Sequence, residues 1–109
     1  MKKKIVLTRF PFTDLSATKR RPAVVMAERL HNDVIVAFIS SNISNQTNAD
    51  FLIETTHVDF VETGLIQNSV FKMDKLATLN TTIFSGEIGE VSDEIFERLK
   101  DKLKLVFEL

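Results

Sequence analysis

Three consecutive cations, Lys19, Arg20 and Arg21, stand just ahead of Pro22 and the apolar run "AVVMA". A guanidinium presents five donors in a rigid fork, a shape suited to the oxygens of a phosphodiester. Ser40, Ser41 and Asn42 close a second apolar run, "DVIVAFI", and Lys72 and Asp74 punctuate a third, "SVFKMDKLATL". Arginine and hydroxyl groups can stabilise the extra negative charge of a phosphorane, and a carboxylate such as Asp74 can move a proton. RNA carries its own nucleophile in the 2′-hydroxyl, so this set would suffice to cleave RNA without a nucleophilic side chain or a metal. Lys19, Arg20, Ser41, Asn42 and Lys72 are candidates for RNA contact. Phe12 and Thr13, in the loop before the cations, join them, Phe12 either stacking on a base or entering the core. Each set has a plainer alternative: Arg21 in a surface ion pair, Ser40 and Ser41 as strand-end caps, Lys72 with Asp74 as an ordinary same-face ion pair.

Other chemistries find little support. The 109 residues contain no cysteine and only His31 and His57, so no disulfide, thiol nucleophile, metal site or cofactor is expected. There is no G-x-S-x-G and no Gly-rich phosphate loop. With 44% apolar residues and few glycines and prolines, the chain is expected to fold as one globular domain over residues 1–109. No apolar run approaches the roughly 18 residues of a membrane span. The short run after "MKKK" is interrupted by Arg9, so no signal peptide is expected and the cytoplasm is the expected location. The net charge is −1, but residues 1–29 hold eight cations and two anions, whereas residues 85–109 hold four cations and seven anions. That polarity offers a local positive surface to phosphate on a nearly neutral protein.

The elements that must position these groups follow from periodicity. "KKIVLTRF" (3–10), "RPAVVMAER" (21–29) and "DVIVAFIS" (33–40) read as strands, the last two joined by a tight turn at "HND". A hairpin about that turn would set residue 21 opposite residue 43 and make Arg21 a neighbour of Ser40–Asn42. The nearly continuous apolar run of 33–40 predicts burial on both faces or a central position in the sheet. "FLIET" (51–55), "SVFKMDKLATL" (69–79) and "TIFSGEIGEV" (82–91) complete the strands, with Gly86 and Gly89 as bend points. Period two along 69–79 would put Val70, Lys72, Asp74 and Leu76 on one side. Ser92 caps a C-terminal helix whose Ile95, Leu99, Leu103 and Val106 form one apolar stripe. The expected architecture is mostly β, a small curled antiparallel barrel with a C-terminal helix.

"IVLTRFPFTDLSATKRRPAVVMAE", "DVIVAFISSN" and "GLIQNSVFKMDKLATL" followed by "IGEVSDEIFERLKDKL" resemble, in order and spacing, the MazF/PemK toxins of type II toxin–antitoxin systems, in the branch with the Phe-Pro-Phe-Thr-Asp opening. The resemblance implies an SH3-like β-barrel with a C-terminal helix, assembled as a homodimer. It also implies a metal-independent endoribonuclease that cuts single-stranded RNA, often mRNA, and is held inactive by a cognate antitoxin. Carried over position by position, the family's Arg-Pro falls on Arg21 and Pro22, its threonine on Ser40, and its Ser-Gln on Ser41 and Asn42. Its Arg-x-Asp falls on Lys72-Met73-Asp74, where lysine replaces the bidentate guanidinium. The catalytic set so implied is Arg21, Ser40 and Asp74. Two other readings share the fold: a CcdB-like toxin that binds gyrase and cuts nothing, and a barrel with a decayed site that serves only to bind protein.

Overall fold

The computed structural model describes residues 1–9 and 20–109; the candidate contacts of Phe12, Thr13 and Lys19 lie outside the described residues. The elements run β1 (Lys4–Thr8), β2 (Arg21–Glu28), β3 (Asp33–Ser40), β4 (Asp50–Ile53), β5 (Ser69–Asn80), β6 (Gly86–Glu90) and α1 (Asp93–Val106). Short 3-10 turns lie at Leu30–Asn32, Val61–Thr63 and Thr81–Ile83. The strands form one antiparallel sheet in the order β4-β5-β3-β2-β1-β6. This is the mostly β architecture with a terminal helix that the sequence predicts.

β3 lies inside the sheet, between β5 and β2, and is buried on both faces. Its Ala37 and Ile39 join Ile5, Val24, Phe71, Ile95 and Leu99 in the core beneath α1. Its Val34 and Val36 join Val6, Ala23 and Val25 in a second cluster on the opposite face. The alternation explains why a central strand needs apolar residues at nearly every position.

Along β5 the expected period of two fails. Lys72 opposes Phe38 but Leu76 opposes the adjacent Ala37, so residues 73–75 bulge between consecutive β3 partners. Leu76 therefore packs with Phe71 and Met73 against the helix-side core, and Asp74 is exposed within the bulge. β6 is also shorter than its apolar run predicts. Its register shifts beside Gly89, the expected bend.

The sheet curls until residues 62–64, from the β4–β5 connection, meet β6. Gly64 has φ +73°, and a Cβ there would stand 1.9 Å from the Ile88 carbonyl oxygen. A Cβ on Gly89 would stand 2.3 Å from the Glu62 carbonyl oxygen. Two glycines thus let backbone touch backbone where the curl closes. α1 covers one end of the core. The Ser92 Oγ accepts the Ile95 N–H at 3.2 Å, and Ile95, Phe96 and Leu99 are its buried residues.

Candidate functional site

Directly opposed residues in an antiparallel sheet share a face, with Cβ atoms about 5 Å apart. On the face away from α1, one row reads Asp50, Lys72, Phe38, Ala23 and Val6 across β4, β5, β3, β2 and β1. In the next row Leu52 opposes Val70, Val70 opposes Ser40, and Arg21 opposes Thr8. The β2–β3 ladder sets Ala23 opposite Phe38; carried two residues further, that register sets Arg21 opposite Ser40. The expected partner was residue 43. A turn that begins at Leu30 and a register shift between Val25 and Ala27 move it three residues back, onto Ser40 itself.

Ser40 is 9% exposed, and its Oγ accepts the Asn42 N–H at 3.1 Å. That bond leaves the hydroxyl proton free to donate. Arg21 is half-buried. Its Cζ lies 5.6 Å from the centroid of the Phe38 ring, and its Nε is buried with no hydrogen-bond partner among the described residues. Among the described residues no carboxylate lies within ion-pair distance of it.

Lys72 has a different environment. Its Nζ donates to Asp50 Oδ2 at 3.2 Å, and the Asp50 side chain is 1% exposed. The same oxygen accepts the Thr47 N–H at 3.0 Å, and the Thr47 carbonyl accepts the Asp50 N–H at 3.1 Å. The pair neutralises Lys72 and pins the end of the polar stretch after β3. The alternative of a Lys72–Asp74 pair is not realised. Asn42 Oδ1 accepts from the Ser44 N–H and hydroxyl at 3.1 and 2.6 Å, so its side chain folds that polar stretch locally. Arg20 and Ser41 are exposed at the same end of the sheet.

A cavity of 280 Å³ opens there, with Leu7, Arg20, Arg21, Pro22, Ile39 and Ser41 in its lining. Leu7, Pro22 and Ile39 belong by register to the helix-side face, across the sheet from Phe38. Arg21 thus lines the cavity while its guanidinium rests on Phe38.

A family model described as "PemK-like, MazF-like toxin of type II toxin-antitoxin system" matches residues 2–107. The chain belongs to this toxin family. Among solved structures, an endoribonuclease in complex with its cognate antitoxin from a mycobacterial species is 13% identical, with a TM-score of 0.75 over 100% of this chain and 95% of that one. The Mycobacterium tuberculosis toxin MazF-mt6 is 19% identical, with a TM-score of 0.74 over 97% of both chains. MazF from Deinococcus radiodurans is 13% identical, with a TM-score of 0.73 over 99% of this chain and 96% of that one. At these identities the structures speak for a common MazF-like fold. A comparison with curated proteins gives no match.

On this PemK/MazF-like scaffold, Arg21 and Ser40 come together as the sequence predicts, Lys72 joins their face in an ion pair, and Asp74 stands apart in the bulge. Phe38 and Asp50 escaped the sequence reading. Phe38 carries a signal in retrospect, since it precedes Ser40 by two and must share its face. Asp50 carries none, because its burial depends on β4 pairing with β5.

Proposed function

We propose that this toxin is a metal-independent endoribonuclease acting on single-stranded RNA, mRNA being the substrate that fits a toxin of this family. The observation that carries the reading is the Arg21 guanidinium, uncompensated by any described carboxylate and set by register opposite Ser40, whose hydroxyl donates to no described residue. In the proposed reaction the RNA 2′-oxygen forms a bond to phosphorus as the bond to the 5′-oxygen breaks. Arg21 stabilises the phosphorane and hands a proton to the leaving 5′-oxygen, and solvent accepts the 2′-hydroxyl proton, because Asp74 stands apart in the bulge. Solvent returns that proton to Arg21. The products are a 2′,3′-cyclic phosphate and a 5′-hydroxyl. Ser40 donates to a non-bridging oxygen, while Arg20, Ser41 and Asn42 contact the flanking chain.

A cognate antitoxin is the expected inhibitor, as in the toxin–antitoxin complexes that share this fold, and its acidic segment would compete for the same cations. We further propose a homodimer in the cytoplasm. The neutralised Lys72 favours one rival reading, a barrel that binds protein but cuts nothing. Incubation of the purified protein with a long RNA in EDTA separates the two. Fragments ending in cyclic phosphate are expected, and RNA left intact by protein that binds antitoxin would favour the rival.

A further inference from the structure

Arginine in a catalytic row needs its charge free and its fork fixed, and these demands conflict. The usual way to fix a guanidinium is a carboxylate, which also neutralises it. Lys72 shows that solution on this face, held at 3.2 Å by Asp50. Arg21 shows another. Its Cζ is 5.6 Å from the Phe38 ring centroid, within the range where a ring face attracts a cation and leaves its charge intact. Register explains the contact: Phe38 opposes Ala23, two residues from Arg21 on the same face, a diagonal that a long side chain spans. The ring is itself held in place, packed against the second apolar cluster of Val6, Ala23, Val25, Val34 and Val36.

We infer that Phe38 is a positioning residue: its ring face fixes the Arg21 guanidinium toward the scissile phosphate without consuming its charge. The catalytic part of this inference rests on the nuclease reading above, and the structural part does not. Ring contact along one face leaves the guanidinium edge to present donors to phosphate. The Nε is buried, so the donors that reach phosphate are those of the terminal nitrogens.

The test has two arms. In the first, NMR of the intact protein should show a nuclear Overhauser effect between Arg21 Hε and the Phe38 ring protons, and a ring-current shift of that Hε. Absence of both would overturn the inference whatever the protein cleaves. In the second, Phe38→Leu keeps apolar volume but removes the ring face, and Phe38→Tyr keeps the ring. A misplacement of about 1 Å can cost about a hundredfold in rate, so Phe38→Leu should lower kcat by about tenfold to a hundredfold with KM changed less than about threefold. Phe38→Tyr should stay within about threefold of the parent. A folded Phe38→Leu protein with unaltered kcat, or a Tyr variant as slow as the Leu variant, would overturn it too. If Phe38→Leu fails to fold, the NMR arm and the Tyr variant still decide. Protein that shows the ring contact but cuts no RNA would refute the nuclease reading and leave the placement of Arg21 standing.

Discussion

Arg21 and Lys72 lie on the same sheet face, on either side of Phe38, yet they meet opposite fates. Lys72 is bound by a carboxylate that is 1% exposed, which also ties down Thr47. Arg21 rests on an aromatic ring and, among the described residues, has no anion near it. The difference teaches that counting cations on a surface says little about phosphate binding; what matters is which charges the fold has already neutralised. A buried ion pair gains little net stability over well-packed apolar groups, but breaking it is costly. Lys72 is therefore best read as a cation spent on holding the end of the polar stretch, and Arg21 as the one kept in reserve.

The comparison breaks most sharply at Arg21. Arg21→Ala should reduce RNA cleavage by about a hundredfold to a thousandfold, the usual loss for one transition-state donor, with an unchanged thermal midpoint. Cleavage within about twofold of the parent would remove Arg21 from the site. Asp50→Asn sharpens the contrast from the other side. Removing one partner of a buried pair costs about 3–5 kcal/mol, but Lys72 is 24% exposed and can turn to water, so a loss of about 1–3 kcal/mol by urea unfolding is expected. The freed lysine should then tighten RNA binding, and a variant that weakens it would mean that Asp50 holds the binding surface itself.

These contrasts were only partly legible in the sequence. The run 33–40 announces a central strand by its apolar continuity, and Ser92 with Asp93 and Glu94 announces the start of α1, because both signals are local. The meeting of Arg21 and Ser40 was legible because a single hairpin joins them. The three-residue bulge at 73–75 was not, since Phe71, Met73 and Lys75 satisfy period two as well as an unbroken strand would. Nor was the pairing of Lys72 with Asp50, which depends on β4 returning to β5 across fifteen intervening residues between Ile53 and Ser69.

The smallest effect belongs to an exposed pair. The hydrogen bond between the Lys3 ammonium and Asp93 holds the Asp93 carboxyl below its ordinary 3.8 and lifts the lysine above its ordinary 10.5. The Asp93 contribution is present above 3.8 and lost as pH falls through the lower folded value. The Lys3 contribution is present below 10.5 and lost as pH rises through the higher folded value. Between these limits Asp93→Asn should shift the thermal midpoint only slightly, in contrast to Asp50→Asn. A shift as large as that of Asp50→Asn would show that exposure is a poor guide to the value of ion pairs in this protein.

Salt dependence of RNA binding addresses most directly the claim that one cation is free and the other spent. Binding of a short 2′-O-methyl RNA, which lacks the nucleophile, would be followed over a range of salt concentrations for the parent, Arg21→Gln and Lys72→Gln. Each phosphate contact on a single strand contributes about 0.7 to the log–log slope. Arg21→Gln should therefore flatten the slope by about 0.7, and Lys72→Gln should leave it unchanged. Equal flattening by both substitutions, or flattening by Lys72→Gln alone, would contradict the division of labour between the two cations.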